Sequence, residues 1–516
     1  MSDIFWRLLY GLAGGLVLAS CAGAPANRPA AELAEAGALA EGVAGGAAAL
    51  QLIPADIRVS ARGVFGGADV SYTAALERVS AAPQGDLPPV DLVAVSYVAD
   101  TGASPQARPV LFIFNGGPIS ASLWLHIGAL GPQRVLAPED LGAPQEQFSL
   151  VANAHSPLDV ADLVFFDPAA TGFSRVAGGG EMAPYFSVRT DAAQFVAFAE
   201  AWLDKHDRAG APVFLLGQSY GTHRAAEAAG QIAEGGRLNL AGVFLMGQAV
   251  NVIEYSQRRQ NILSYVASLP TLAAIAWDLG EIDRAGRSFE AFMAEVATFA
   301  EAQYLPALFK GQRITPDELA HIAARLEAYT GIDAEIYEAG RLRLSKEAFR
   351  VELLKAQGLI LGRNDGRYTG PLAEGGDPSG VLQEAYWRLF SAYLEGTFGA
   401  LPMQDYQRGF SAGNFDSWDW GAASPFGQYA YAERIDAAFQ VFPQLRVFVG
   451  TGYHDTLTTV GAADYLVDQS DWPKAQVRQG RYIGGHMPYS VAATAEAFGE
   501  DVRSWVRGWP APGASE

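Results

Sequence analysis

A chain of 516 residues with a formal net charge of −20 lacks the basic face needed for non-specific binding to nucleic acid or to an anionic membrane surface. Half of its residues are apolar, which excludes a mainly disordered chain and leaves one large domain with insertions, or two domains. The single cysteine, Cys21, excludes a disulfide framework.

The N-terminus reads MSDIFWRLLYGLAGGLVLASCAGAP. After Arg7, the apolar segment 8–18 is too short to span a bilayer comfortably and runs into small residues, which is the shape of a signal peptide. Leu18-Ala19-Ser20-Cys21 resembles the lipobox of bacterial lipoproteins, whose cysteine is acylated and becomes the mature N-terminus. The alternative is an ordinary cleaved signal in which Cys21 is incidental. Residues 1–20 are thus expected to be a signal peptide, and Cys21 a lipidation site. Residues 21–53 are Ala/Gly-rich with almost no large side chains, cannot bury enough surface to fold alone, and read as a tether. The protein is then expected in a bacterial cell envelope, anchored to a membrane through Cys21 and facing the periplasm or the outer surface.

From residue 54 the pattern becomes strand-like. Strands are predicted over 57–64, 70–76, 92–98 and 110–114. Short continuous apolar runs at 163–166 and 213–216 suit a parallel sheet covered on both faces. An amphipathic helix over 191–206 lies between these two runs, with Phe195, Phe198, Trp202 and Leu203 on one side. Strand, helix, strand, sharp turn and helix in succession are α/β organisation. Residues 251–435 change character, with helical patterns over 289–304, 315–329 and 346–357 and an aromatic-rich stretch over 387–420. A strand returns at 445–449 and a helix closes over 496–509. The expected architecture is one α/β core, residues 54–250 and 436–510, interrupted by a mainly helical cap insertion over 251–435.

Two G-x-S-x-G patterns occur, centred on Ser219 and Ser411, in a chain with 57 glycines. A nucleophile elbow needs a strand running into a helix, so that the sharp turn exposes the serine oxygen and the helix N-terminus favours negative charge. VFLLGQSYGTHRAA supplies that context for Ser219; QDYQR before Ser411 and NFDSWDW after it do not. A serine hydroxyl needs a base, and the base an orienting acid, in the chain order Ser, Asp or Glu, His. Four of the seven histidines follow Ser219. His223 sits one helical turn below the serine and points down the helix, and His321 lies within the insertion. His454 and His486 follow the resumed sheet. Asp455, a short loop after the strand LRVFV, and His486, in the Gly-rich loop YIGGHMPY, complete the candidate catalytic set. Oxyanion stabilisation by backbone N–H groups would come from Tyr220 and from Asn115-Gly116-Gly117-Pro118, which directly follows LFIF.

Four separated blocks resemble the serine carboxypeptidase family: NGGP at 115–118, FFDPAATGFSR at 165–175, GQSYG at 217–221 and GGHMPY at 484–489. Their order, and the insertion between serine and aspartate, agree over roughly residues 90–505. The resemblance implies an α/β-hydrolase fold, with a mostly parallel sheet and a helical cap, that releases C-terminal amino acids from peptides through an acyl-enzyme. It makes Ser219 the nucleophile, His486 the base, Asp455 the orienting acid, and the Gly117 and Tyr220 amides the oxyanion hole. It also puts Asn115 and residue 218 at the substrate's terminal carboxylate.

The chain departs from the family at four positions. Ile119 replaces a glycine of NGGPG, Ala170 a glycine of GTGFS, Gln218 the glutamate before the nucleophile, and Ala129 a glutamate of ELGP. Ile119 does not take a positive φ cheaply, which puts the shape of its loop in question. Peptides are the expected substrates. An esterase or acyltransferase on the same triad, and a catalytically weak envelope binding protein, are the alternatives. No metal-ligand pattern or phosphate loop stands in the sequence, and no cofactor is expected.

Overall fold

The structure, a computed structural model, describes residues 56–509 except 84, 103, 410–417 and 422–430. Cys21, the expected signal and tether segments, and Ser411 lie outside the described residues. The chain enters as an antiparallel meander of β1 (Ile57–Phe65), β2 (Ala68–Ala81) and β3 (Val90–Ala99). Burial along β1 alternates residue by residue, as it does in a strand with one wet face.

Six further strands build the rest of the sheet: β4 (Val110–Phe114), β5 (Asp162–Phe166), β6 (Pro212–Ser219), β7 (Asn239–Gln248), β8 (Arg446–Gly452) and β9 (Val477–Tyr482). Their order is β1-β2-β3-β5-β4-β6-β7-β8-β9, and a two-residue strand, Arg175–Val176, pairs with β3 off this path. β5 runs antiparallel to β3, and every pair from β5 to β9 is parallel. The mostly parallel α/β sheet is therefore the one expected.

Alternate side chains of the parallel strands feed two cores. Phe112, Phe114, Leu215 and Val447 enter the face covered by α1 (Val188–Lys205) and α2 (Gly221–Gly235). Leu111, Ile113, Phe214 and Phe448 enter the opposite face. Each fully buried Phe or Leu contributes roughly 1.5–3 kcal/mol, so the strand register is strongly specified.

The segment between β7 and β8 is not one body. Helix α3 (Ile262–Leu279) and the helices after it, to about residue 361, share a hydrophobic core of their own. Helix α4 (Val381–Phe398) instead joins the core of the sheet through Tyr386, Leu389 and Phe390. Helix α5 (Tyr431–Val441) packs Ile435 and Ala438 on the other face. Helix α6 (Val460–Gln469) backs the sheet and meets α3 closely, because a Cβ at Gly461 would stand 2.4 Å from the Ala267 carbonyl oxygen. Helix α7 (Ala492–Arg507) closes the opposite face with Phe498, Val502 and Trp505.

Candidate active site

Strand β6 ends at Ser219, whose φ is +58°, and α2 begins two residues later. A left-handed non-glycine residue costs roughly 1–2 kcal/mol, and here the close packing of the turn enforces it. The flanking glycines show how close: a Cβ at Gly217 would stand 2.2 Å from the Gly221 carbonyl oxygen, and one at Gly116 would stand 2.5 Å from the Tyr220 nitrogen. The NGGP loop therefore lies against the elbow, with its backbone beside that of Tyr220. Among the described residues, neither the Gly117 nor the Tyr220 N–H donates to a backbone carbonyl.

Asp455 follows β8 after a two-residue turn, Tyr453-His454. Its Oδ1 accepts the Leu457 and Thr458 amides at 2.8 and 3.0 Å, and its Oδ2 accepts the Thr458 hydroxyl at 2.5 Å. The carboxylate is thereby fixed with Oδ2 at 2.7 Å from His486 Nδ1. With Nδ1 engaged by the acid, Nε2 is the ring nitrogen available to a serine. Two contacts bring His486 to the elbow. Its carbonyl accepts Gln218 Nε2 at 2.6 Å, and its ring lies 3.3 Å from where a Cβ on Gly247 would stand, next to Gln248, the sheet partner of Ser219. Ser219 and His486 themselves share no hydrogen bond in this structure.

Asn115 and Gln218 also come together. Gln218 Oε1 accepts from Asn115 Nδ2 at 2.7 Å and from the Tyr489 hydroxyl at 2.8 Å. Asn115 Oδ1 accepts the Leu125 amide at 3.1 Å. Both side chains are buried, and each keeps one amide hydrogen uncommitted. Ala129 is buried in the turn His126–Leu130 and offers no side-chain donor.

Ile119 resolves the question raised by its sequence: it adopts φ +56°, and Ala170 adopts +68°, so both hold the conformation that glycine would. The Ile119 side chain is buried in the core shared with α1 and α2, which offsets the backbone strain. The other histidines after Ser219 lie in different surroundings. His223 is enclosed by the rings of Tyr220, Trp420 and Tyr431, and burial pushes its pKa down to about 3. His321 lies exposed on Pro316–Thr330. His454 is buried, takes the Gly484 amide on Nδ1 at 3.2 Å, and faces Asp278 at 2.8 Å without hydrogen-bond geometry.

Several site residues have no motif of their own. Thr458 orients Asp455. Asn364 accepts the His486 amide through its carbonyl at 2.5 Å, and Asp365 accepts the Gly485 amide at 2.9 Å. Arg224 was not singled out from the sequence; the signal it carries there is an arginine among the small residues of GTHRAAEAAG. Among the described residues, no group of three His, Cys, Asp or Glu side chains is placed to hold a metal.

A parallel sheet ending in a strained serine elbow, facing an Asp-His pair, defines an α/β-hydrolase of the serine hydrolase class. Within that class, residues 97–275, the stretch that holds NGGP, TGFS and GQSYG, match the family model described as serine carboxypeptidase. No curated protein sequence matches the chain. Similar solved structures include Kex1(Δ)p, a prohormone-processing carboxypeptidase from Saccharomyces cerevisiae, at 13% identity and a TM-score of 0.44 over 83% of this chain and 95% of that one. A thermophilic esterase from Thermogutta terrifontis is similar at 13% identity and a TM-score of 0.34, over 84% and 98% of the two chains. A proline iminopeptidase from Mycobacterium smegmatis is similar at 15% identity and a TM-score of 0.33, over 84% and 98%.

Proposed function

We propose that the protein is a serine carboxypeptidase-type hydrolase that releases C-terminal amino acids from peptides through an acyl-enzyme. The observation that carries this reading is the Asp455–His486 pair at 2.7 Å, held against a Ser219 elbow beside two uncommitted backbone amides. His486 Nε2 takes the Ser219 proton as Oγ attacks the scissile carbonyl, and Asp455 stabilises the imidazolium that forms. The Gly117 and Tyr220 amides receive the oxyanion. When the C–N bond breaks, the leaving amine takes the proton from His486. Water, deprotonated by the same imidazole, then releases the peptide acid and restores Ser219.

Terminal-carboxylate recognition falls to the remaining N–H groups of Asn115 and Gln218. An amide donates at any pH, whereas a glutamate must first be protonated. That limited donor set also favours a second reading, an esterase or acyltransferase on the same triad. The Leu-Ala-Ser-Cys sequence supports a further element of the proposal: a bacterial envelope location, with the chain lipid-anchored through Cys21.

Active-site labelling with a fluorophosphonate tests the chemistry. Labelling is expected in the wild type and in Ser411→Ala and lost in Ser219→Ala. A wild-type protein that fails to label would favour a binding protein that has lost catalysis.

A further inference from the structure

Beneath the elbow lies a buried charged network that the triad does not use. Asp191 on α1 and Arg224 on α2 are both wholly buried. Arg224 Nε and one terminal nitrogen donate to the two Asp191 oxygens at 2.8 and 3.2 Å. Its other terminal nitrogen donates to the Asn115 carbonyl at 2.9 Å. Asp191 Oδ2 also accepts the Tyr220 hydroxyl at 2.9 Å. Asp191 Oδ1 accepts Gln194 Nε2 at 3.1 Å, and Gln194 Oε1 accepts the Ala169 amide at 2.9 Å. The guanidinium sits 5.2, 5.5 and 5.6 Å from the ring centres of Phe114, Phe166 and Tyr220.

Asn115, Ala169 and Tyr220 begin the loops that leave the C-terminal ends of β4, β5 and β6, three neighbouring strands. Arg224, Gln194 and the Tyr220 hydroxyl thus link the three loops, in that order, to the single carboxylate of Asp191. Replacing a buried ion pair with apolar residues is often neutral for stability, so stability alone is a poor reason for placing one here. Its geometry supplies a different one. The carbonyl of Asn115 lies two residues before Gly117, and the tethered ring of Tyr220 belongs to the residue whose amide is the second expected oxyanion donor.

We infer that Asp191 and Arg224 are positioning residues that set the spacing of the two oxyanion-hole amides. The inference rests on the proposed role of Ser219 and extends it to a site that touches no substrate. Displacement of a preorganised donor by about 1 Å lowers turnover by roughly 10- to 100-fold without weakening ground-state binding.

The test uses Arg224→Lys, which keeps the charge and loses the fork, and Tyr220→Phe, which removes only the hydroxyl. Each protein is first titrated at Ser219 with a fluorophosphonate, so that kcat is expressed per reactive site. Binding of a peptide boronic acid, whose tetrahedral adduct occupies the oxyanion hole, is compared with binding of a product peptide. The expected result is a 10- to 100-fold loss of kcat and of boronate affinity in Arg224→Lys, with KM and product affinity within about threefold. Tyr220→Phe should show the same pattern at smaller size. If Arg224→Lys does not fold, Tyr220→Phe alone decides, since it leaves the packing in place. Unchanged kcat per labelled site, with only fewer sites labelled, would mean that the pair merely supports the fold and would overturn the inference. Absence of wild-type labelling would overturn the Ser219 reading beneath it.

Discussion

Ile119 holds a left-handed backbone that a β-branched residue adopts only under constraint, yet its side chain is 2% exposed within the core. Relief of the strain in Ile119→Gly is worth roughly 1–2 kcal/mol. Loss of a buried isoleucine costs about 2–5 kcal/mol, so packing wins. Ile119→Gly should therefore lower the stability measured by denaturant unfolding, by about 1–3 kcal/mol, while kcat stays within about threefold. A more stable variant would show that the strain dominates. Gln218 poses a second residue-scale question, because its Nε2 donates to the His486 carbonyl at 2.6 Å in a buried setting. A glutamate there keeps that bond only when protonated, and desolvation raises its pKa, so the competent form is lost as pH rises. Turnover of Gln218→Glu should accordingly fall between about pH 5 and 8 while the wild-type KM for a blocked dipeptide stays flat. A steep wild-type rise in KM over that range would contradict this.

At the scale of elements, the base loop is held from outside the sheet. Residues 363–366, which precede the short strand Thr369–Pro371, supply the Arg363, Asn364 and Gly366 backbone contacts to Thr456, His486 and His454. Asp365 adds its bond to the Gly485 amide and is itself fixed by Arg367 at 2.6 Å. Asp365→Ala should thus reduce kcat by about tenfold with little change in KM, because the His486 loop loses the brace on its Gly485 amide. A loss of total activity with unchanged kcat per titrated site would point to folding alone. These braces were not legible in the sequence, since Asp365 and Gly485 stand 120 residues apart. The elbow was legible, because strand, turn and helix are consecutive and their small residues record the close approach. Strand β9 was not, since VRQGRY lies at the sheet edge and carries no apolar run. Strand β7 is an apolar run of the usual kind that is absent from the predicted strands. Helix α4 reads as part of a cap because it is helical and lies between Ser219 and Asp455, but its row of Tyr386, Leu389 and Phe390 belongs to the core of the sheet.

For the molecule as a whole, the three-strand meander is locked to α1 by Glu77. Burial would raise the Glu77 pKa, but the His206 hydrogen bond and charge, the Ser96 hydroxyl and Lys205 bring it down from 4.5 to about 2. A carboxylate with a depressed folded pKa stabilises above its unfolded value, and that stability is lost as pH falls from about 4.5 to 2. The contribution is at most about 3 kcal/mol, and Glu77→Gln should flatten the fall of Tm with pH over that window. Parallel Tm profiles for the two proteins would remove Glu77 from the account of acid stability. The same meander joins the parallel strands through the β3–β5 pair, next to the strand ends where Ser219, Asn115 and Ala169 stand. Ser219 and His486 were readable because each sits in a short motif, and Asp455 because it follows a strand in the expected chain order, whereas the partners that aim them are set by the folded sheet.

The most direct measurement is hydrolysis of a blocked dipeptide, compared with its C-terminal amide and methyl ester, by wild-type protein and by Ser219→Ala. Release of the C-terminal amino acid should depend on Ser219, and kcat/KM should be greatest for the free carboxylate. Ser219-dependent cleavage of the ester with none of the dipeptide would identify an esterase, and cleavage that survives in Ser219→Ala would remove Ser219 from the chemistry.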